Sequence, residues 1–313
     1  MNQSPQHTSG PAPQDDSEHR PRTALVLGGG GSAGNAWLIG VVAGLADAGL
    51  DVTAADLIIG TSAGSTAAAQ LSGATPAELL AAILTAAPPQ RSRPVGSDRA
   101  AAPARPATNH MATTSAIIAA AEDAADMRRR MGTWALGTDT TLNSSTQSHW
   151  RATVAARLPR PLWPHHRMLI TAVDAVTGVP VVFDRHSGVE LVDAVAASCA
   201  GGFAYGIGDH RYIDGGYRSN ADNADLAAGH ARVLVLSPLG GRSRTPVGWG
   251  LHLATQVEDL RADGSSVETI FPDTSSLTAF GDNLMDPSTR PPAARAGFDQ
   301  GRARAGQLSE FWR

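Results

Sequence analysis

The stretch "ALVLGGGGSAGNAWLIG", from Ala24 to Gly40, decides how this chain begins to fold. An apolar run ends at Leu27, four glycines follow, and an amphipathic segment comes after them. The pattern predicts a buried strand over Thr23–Leu27 and a helix over Asn35–Ala48. A glycine loop between a strand and a helix offers its backbone N–H groups to a negative group. That group is either a bound phosphate or an oxyanion that exists only during a reaction.

The composition indicates a folded protein that does not bind nucleic acid. The chain has 313 residues, of which 42% are hydrophobic and 17% are charged, as in ordinary globular domains. Its formal net charge is −4, so it lacks the basic surplus typical of nucleic-acid-binding proteins. Cys199 is the single cysteine, which excludes an intramolecular disulfide, leaves no cysteine cluster for zinc and fits a reducing cytoplasm.

Two polar stretches stand out from the predicted domain. Residues 1–22 are polar and lack the apolar stretch of a signal peptide, so we predict a disordered tail. Residues 88–109 are rich in Pro, Ala and Arg and predict a mobile loop, which is either a lid or a simple insertion. Residues 23–313 are predicted to form one domain. No apolar run approaches the roughly 20 residues of a membrane span, so we expect a cytoplasmic protein with at most a peripheral membrane contact.

Strand and helix patterns alternate along this domain. Further strands are predicted at Leu57–Ile59, Met168–Asp174, Val179–Asp184 and Arg232–Ser237. Further helices are predicted at Ala63–Leu71, Thr75–Ala86, Thr113–Met131, Ser144–Leu158, Val189–Cys199, Leu251–Asp263 and Arg290–Leu308. This alternation predicts an α/β fold with a mainly parallel sheet covered by helices on both faces. In such a sheet the functional site lies at the carboxyl ends of the strands.

A second glycine motif follows the second predicted strand. Gly60, Thr61, Ser62, Ala63 and Gly64 match the pattern G-x-S-x-G between a strand and a helix. This is the context of a nucleophile elbow, in which a strained turn holds a serine hydroxyl out from the sheet. The small flanking residues let the strand and the helix approach each other closely. The alternative is a glycine-rich turn with an idle serine.

A nucleophilic serine also needs a base and donors for an oxyanion. The backbone N–H groups of Gly29, Gly30 and Gly31, together with that of Ala63, are the predicted donors of an oxyanion hole. The predicted base is Asp214, which ends a short strand. Two glycines, Gly215 and Gly216, follow it and would let the aspartate lean over the serine without steric cost.

These three motifs carry a resemblance. "LVLGGGGSAG", "GTSAGS" and "DGG", in this order and spacing, resemble the patatin-like phospholipase family of serine acyl hydrolases over about residues 23–237. The resemblance implies a three-layer α/β/α fold, a catalytic dyad of Ser62 and Asp214, and an oxyanion loop at Gly29, Gly30 and Gly31. It implies hydrolysis of a lipid or other ester through an acyl-serine intermediate, without a metal or a cofactor. The acyl chain, the head group and the oligomeric state stay open.

The sequence departs from the family pattern at two positions. The glycine loop of the family usually carries an arginine where this chain has Ala33, and the segment before the aspartate usually has a proline where this chain has Gly202. These departures put the rigidity of the loop and the type of substrate in question, more than the dyad. A non-catalytic member that binds lipid or regulates is therefore one alternative.

A nucleotide-binding protein is the other alternative. Residues 29–34 also satisfy G-x-G-x-x-G, the dinucleotide fingerprint. That fingerprint expects an acidic residue at the end of the next strand, where this chain has Gly60 and Thr61. Asp51 and Asp56 lie before that strand instead.

Other reactive side chains have structural interpretations. A Ser-His-Asp triad would need His230 or His252 after the aspartate, and both are expected to be structural. The pair His165 and His166 lacks nearby carboxylates, so no metal site is expected there. Packing, turn and capping roles are predicted for Trp37, Asp174, Cys199, Asp222 and Asp225, with the lining of an acyl pocket as the alternative for Trp37. Asn220 and Asn223 are expected to take solvent-facing turn roles, and the alternative is that they orient the aspartate loop.

Overall fold

The computed structural model describes residues 22–86, 107–138 and 143–312. The predicted disordered tail lies outside the described residues except for Arg22. Most of the predicted mobile loop, residues 88–106, lies outside them as well. The last part of that loop belongs to a helix that begins at Ala107.

Eight strands of the described residues form one sheet. They are β1 (Thr23–Leu27), β2 (Leu57–Gly60), β3 (Arg167–Asp174), β4 (Pro180–Phe183), β5 (Tyr205–Ile207), β6 (His210–Asp214), β7 (Arg232–Leu236) and β8 (Ser266–Ile270). Their order is β5-β6-β3-β2-β1-β7-β8, and β4 also pairs with β3. The pairs from β3 through β8 along this order are parallel, whereas β4, β5 and β6 pair antiparallel. The predicted, mainly parallel sheet is confirmed.

Ten α-helices of the described residues surround the sheet. They are α1 (Gly31–Asp47), α2 (Ala63–Leu71), α3 (Pro76–Thr85), α4 (Ala107–Ala120), α5 (Ala124–Leu136), α6 (Ser144–Ala155), α7 (Leu191–Ser198), α8 (Leu253–Ala262), α9 (Thr274–Phe280) and α10 (Arg290–Trp312). Local sequence explains several starts. At α3, the Thr75 side chain accepts from the Glu78 backbone N–H, and the Glu78 carboxylate accepts from the Thr75 N–H. This is the capping box that the sequence predicts.

Side chains of β1 alternate between two hydrophobic cores. Leu25 and Leu27 belong to the core on one face, with residues of α1, α2, α7 and α10. Ala24 and Val26 belong to the core on the other face, with residues of α8. All four are fully buried, because successive side chains of a strand point to opposite faces and both faces of this sheet are covered. The fold is therefore a three-layer α/β/α arrangement.

Helices α1 and α10 pack against each other through glycines. A Cβ atom at Gly40 would overlap the carbonyl oxygen of Ala294, and one at Gly297 would lie 2.5 Å from the carbonyl oxygen of Trp37. Residues later in α1 face residues later in α10, so the two helices run in the same direction. The first residue of α10, Arg290, consequently lies at the same end of the molecule as the glycine loop.

The structure differs from the predicted elements in a few places. The helix predicted over Thr113–Met131 is two helices, since α5 starts afresh with the Asp123 side chain accepting from the Asp126 N–H. The elements β5 and α9 were not predicted, because three to seven residues carry too little periodicity to stand out. After the aspartate motif the chain forms two short 3₁₀ turns, Gly215–Tyr217 and Ala224–Ala227.

The helices are also short or polar by the standard of membrane spans. Among the residues that the structure describes, no helix is long and apolar enough to cross a membrane.

Candidate active site

Two strands end facing each other along one edge of β3. Gly60, the last residue of β2, pairs with Ile170, and Asp214, the last residue of β6, pairs with Ala172. Strand β4 pairs with both Ile170 and Ala172, so β2 and β6 share the opposite edge. Since β2 runs parallel and β6 antiparallel to β3, their last residues point toward each other. The turn that follows Gly60 therefore lies beside Asp214.

Ser62 stands in this turn in a strained conformation. Its φ is 52° and its ψ is −115°, which is rare for a residue with a side chain and costs about 1–3 kcal/mol. In this conformation the hydroxyl reaches the aspartate, and Ser62 Oγ donates a hydrogen bond of 2.7 Å to Asp214 Oδ2. The backbone N–H of Ser62 donates to Ser198 Oγ at 2.9 Å. The predicted pair is thus brought into direct contact.

Both glycines of the elbow are required by close packing. A Cβ atom at Gly64 would overlap the carbonyl oxygen of Leu27, and one at Gly60 would lie 2.6 Å from the Cα atom of Ser65. Real Cβ atoms do not approach backbone this closely. The strand β1, the turn and the helix α2 can therefore pack as they do only with glycine at these two positions.

The carbonyl group of Ser62 is also held in place. It accepts from Ser65 Oγ at 2.6 Å and from Cys199 Sγ at 3.1 Å. Burial, with a smaller effect of nearby Asp214, raises the pKa of the Cys199 thiol to about 11. Cys199 is therefore a neutral hydrogen-bond donor that supports the elbow, and its position agrees with the packing role expected from the sequence.

Asp214 has one hydrogen bond on each carboxylate oxygen. Oδ2 accepts from Ser62, and Oδ1 accepts from the backbone N–H of Gly216 at 2.7 Å. Burial raises the pKa of Asp214 to about 6, and these two hydrogen bonds limit the rise. A Cβ atom at Gly215 would overlap Thr171, so the turn after the aspartate also depends on glycine. At neutral pH the carboxyl is mostly ionised and able to accept a proton.

The glycine loop leaves some of its N–H groups free. Gly28 donates to the Leu236 carbonyl at 3.0 Å and Gly29 to the Ala221 carbonyl at 2.7 Å. Among the described residues, the N–H groups of Gly30, Gly31 and Ala63 have no hydrogen-bond partner. The N–H group of Gly29, which the sequence suggested as a donor for an oxyanion, is thus already in use.

Gly29 and Gly30 are nevertheless placed at the serine by close contacts. A Cβ atom at Gly29 would lie 3.5 Å from the Cβ atom of Ser62, and one at Gly30 would lie 2.5 Å from the Cβ atom of Pro238. The loop therefore passes directly beside the Ser62 side chain, with Pro238 behind it.

Two asparagines differ from their predicted roles. Asn220 and Asn223 were expected to face solvent, but they are 5% and 0% exposed. The Asn223 side-chain amide donates to Thr61 Oγ1 and to the Gly215 carbonyl, both at 3.0 Å, and so connects the elbow to the aspartate turn. Asn220 Oδ1 accepts from the Asp222 and Asn223 backbone N–H groups. The cluster of Asn and Asp forms a turn, as such a cluster predicts. The asparagine side chains of this turn are buried inside the protein and do not face solvent.

Asp222 is also buried, contrary to the capping role expected for it. Only 2% of it is exposed, its Oδ1 atom has no hydrogen-bond partner, and a Cβ atom at Gly28 would overlap that oxygen. Burial raises the pKa of Asp222 to about 7, partly offset by a hydrogen bond with Ser237. Asp225, in contrast, forms an ion pair of 2.8 Å with Arg218.

A histidine and a tyrosine that the sequence did not single out bind the same backbone carbonyl, that of Gly201. The Gly201 carbonyl accepts from His110 Nε2 at 2.6 Å and from the Tyr217 hydroxyl at 2.8 Å. A Cβ atom at Gly202 would lie 3.4 Å from His110 Cδ2. The imidazole therefore covers the position where the family pattern has a proline. No motif marks His110, because it is 104 residues away from Asp214 along the chain.

The histidines considered for a triad bond elsewhere. His230 Nδ1 contacts the Ala227 carbonyl at 3.0 Å, and His252 Nε2 contacts the Thr245 carbonyl at 2.8 Å. Neither is hydrogen-bonded to Ser62 or Asp214. The site contains a direct serine–aspartate pair.

The three-layer fold, with a strained serine turn at the carboxyl end of a parallel strand, has the architecture in which α/β hydrolases carry a nucleophile elbow. A sequence model of the family described as Patatin-like phospholipase matches residues 25–227. The chain therefore belongs to the patatin-like phospholipase family, a family of lipid acyl hydrolases.

The crystal structure of VipD from Legionella pneumophila is similar over 92% of this chain and 67% of that chain, with 12% sequence identity and a TM-score of 0.43. No curated protein matches the sequence.

Proposed function

We propose that this protein hydrolyses acyl esters of lipids through an acyl-enzyme intermediate on Ser62. The observation that carries the proposal is the 2.7 Å hydrogen bond from Ser62 Oγ to Asp214 Oδ2. This length supports the proposal, because a nucleophile and its base must lie within hydrogen-bond distance for proton transfer. The strained turn at Ser62 supports the same assignment, since such strain persists where the surrounding structure enforces it.

In the acylation step, Asp214 accepts the proton of the Ser62 hydroxyl while Oγ attacks the ester carbonyl carbon. The carbonyl oxygen becomes the oxyanion of a tetrahedral intermediate. When this intermediate collapses, the bond to the alcohol breaks and the alcohol leaves with the proton from Asp214. In deacylation, Asp214 takes a proton from water while the oxygen of that water attacks the acyl carbon. When this second tetrahedral intermediate collapses, the bond between Ser62 Oγ and the acyl carbon breaks, Oγ takes the proton back from Asp214, and the carboxylic acid leaves.

The free N–H groups beside Ser62 support an oxyanion hole. We assign its donors to Gly30, Gly31 and Ala63, since these N–H groups are unpaired among the described residues. Gly29 is assigned to the wall of the site because its own N–H group is bonded to Ala221. Each donor would stabilise the transition state by about 2.7–4 kcal/mol. The loop would thus bind a charge that forms during the reaction.

A fluorophosphonate probe, which labels activated serines, tests the proposal. We expect mass spectrometry to find one label on Ser62 in the wild type, and none in Ser62→Ala or Asp214→Asn. Ser72→Ala is a matched control, because Ser72 directly follows α2 and, among the described residues, its hydroxyl bonds only to the Ala68 carbonyl. It should label at the wild-type rate.

A folded wild type that is not labelled would contradict the proposal. Binding of lipid vesicles by that unlabelled protein would then indicate a non-catalytic member. Thermal stabilisation by a nucleotide would instead indicate that the glycine loop binds phosphate.

A further inference from the structure

A segment near the C-terminus contacts the glycine loop from outside the region that the family model matches. The Leu284 carbonyl accepts from the backbone N–H of Ala33 at 3.0 Å. A Cβ atom at Gly31 would lie 2.8 Å from Met285 Sδ and 2.9 Å from the Leu284 carbonyl oxygen. The start of α1 is therefore packed against residues that follow it by about 250 positions.

Arg290 holds two groups of the same helical turn. Its Nη1 atom donates to the Ser32 carbonyl at 3.1 Å, and its Nη2 atom donates to Asn35 Oδ1 at 3.0 Å. The planar guanidinium presents its donors in a fixed fork, so the two bonds fix the distance and orientation between these acceptors. Lysine has no such fork and would not hold both acceptors in one fixed geometry.

Asn35 passes this restraint to the elbow. It is 4% exposed, and its Nδ2 atom donates to the Ala63 carbonyl at 3.3 Å and to Gln70 Oε1 at 3.0 Å. Arg290 is thus connected through one side chain to the residue that follows Ser62. The guanidinium is thus bonded directly to Ser32, the residue after Gly31, and through Asn35 to the carbonyl of Ala63.

The charge of Arg290 has no acidic partner among the described residues. Its pKa is lowered by burial first and by Arg157 second, and no described carboxylate forms an ion pair with it. A partly buried cation that bonds only to neutral oxygens is not explained by charge pairing. The three contacts that lead from it to the loop and the elbow account for its position.

We propose that Arg290 is a positioning residue that holds the glycine loop and the elbow at one fixed separation. The inference rests on the proposed function, because that separation matters for a shared oxyanion between Gly30, Gly31 and Ala63. It also accounts for Ala33: the arginine that the family pattern has at this position is absent, and a guanidinium from α10 reaches the same helical turn.

The test compares Arg290→Ala and Arg290→Lys with Arg295→Ala, an exposed arginine of the same helix for which no hydrogen bond or ion pair is found. We expect the rate constant of fluorophosphonate labelling at Ser62 to fall about 10- to 100-fold in both Arg290 variants, as misplacement of reacting groups does. Arg295→Ala should keep the wild-type rate. In a double-mutant cycle, Asn35→Ala should add little to the loss in Arg290→Ala, because both act on one connection.

Hydrogen exchange gives a readout that does not depend on activity. The N–H groups of Ala33 and Gly34, which donate to Leu284 and Gly30, should exchange faster in Arg290→Ala and unchanged in Arg295→Ala. If the wild type is never labelled yet this exchange accelerates, the proposed hydrolase function fails while the restraint by Arg290 stands. A folded Arg290→Ala that labels within twofold of the wild-type rate, or whose loop exchanges as in the wild type, overturns the inference.

Discussion

The Ser62 hydroxyl is bonded directly to the Asp214 carboxylate, 2.7 Å away, and the other oxygen of that carboxylate is held by the backbone of its own turn. Burial raises the pKa of this carboxyl from its ordinary value to about 6. The burial and the ionisation state of Asp214 therefore determine how the reactivity of Ser62 depends on pH. They also determine how much the ionised carboxylate lowers the free energy of unfolding.

The rate of Ser62 labelling should depend on the ionisation of Asp214. Because burial raises the pKa of this carboxyl to about 6, the base is lost to protonation below that value. We expect the labelling rate to fall about tenfold per pH unit well below pH 6 and to level off above pH 7. A rate that is flat between pH 5 and pH 8 would contradict the assignment of Asp214 as the base.

Asp214→Asn should inactivate the protein and stabilise it at neutral pH. Because folding raises the pKa of Asp214, its contribution to stability is complete below the pKa that it has in the unfolded chain. That contribution is lost as pH rises through about 6. Removing the charge should therefore raise the free energy of unfolding at pH 8, by about 3 kcal/mol at most since one pKa unit is worth about 1.36 kcal/mol. Urea titrations at pH 8 and pH 4 test this, and the exposed Asp299→Asn serves as control. A variant that is less stable than the wild type at pH 8 would refute it.

Asp222→Asn should also stabilise the protein at alkaline pH, because it too removes a buried negative charge. Burial raises the pKa of Asp222 to about 7, and its Oδ1 atom has no hydrogen-bond donor. The ionised carboxylate therefore costs stability as pH rises through 7. The difference in melting temperature between variant and wild type should increase from pH 5 to pH 9. A constant difference over that range would show that the carboxyl does not titrate there.

Gly64→Ala should prevent the native fold. The added Cβ atom would overlap the Leu27 carbonyl, and backbone atoms of a central strand cannot move aside cheaply. Gly306→Ala in α10 is the matched control, because nothing lies within 4 Å of the atom that it adds. That control should gain about 0.5–1 kcal/mol from helix propensity. Circular dichroism and thermal melting distinguish the two results.

Cys199 should be unreactive in the folded protein. With its pKa raised to about 11, only about one thiol in a thousand is ionised at pH 8, and the thiolate is the reactive form. We expect iodoacetamide at pH 8 to leave Cys199 unmodified for hours and to alkylate it within minutes after unfolding in urea. Rapid alkylation of the native protein would contradict its role as a neutral donor to the Ser62 carbonyl.

Local patterns were enough to predict the main parts of the site. Gly60, Ser62 and Gly64 lie within five residues and form a motif that can be recognised from the sequence alone, although the atom that requires glycine at position 64 belongs to β1. Asp214 ends a strand before two glycines, which is again a local signal. The bounds of β1, Thr23–Leu27, were also predicted from a local signal. A strand that is buried on both faces is a continuous apolar run in the sequence.

The supporting residues could not be found in this way. His110 and Arg290 contact the site from helices distant in sequence, and a single histidine or arginine in a helix carries no signal of what it touches. Asn223 was misjudged because polarity in a turn predicts exposure, whereas here its amide connects Thr61 to Gly215 inside the protein. Such contacts depend on the tertiary arrangement.

The order of strands has a consequence for any shortened form of the chain. The family match ends at residue 227, but β7, which begins at Arg232, pairs with β1 along its whole length. A chain cut at residue 227 would turn β1, now interior, into an edge with an exposed row of unpaired backbone groups, the kind of edge that recruits other chains. We expect such a fragment to aggregate, because the residues that match the family model do not include the strand that covers this side of β1.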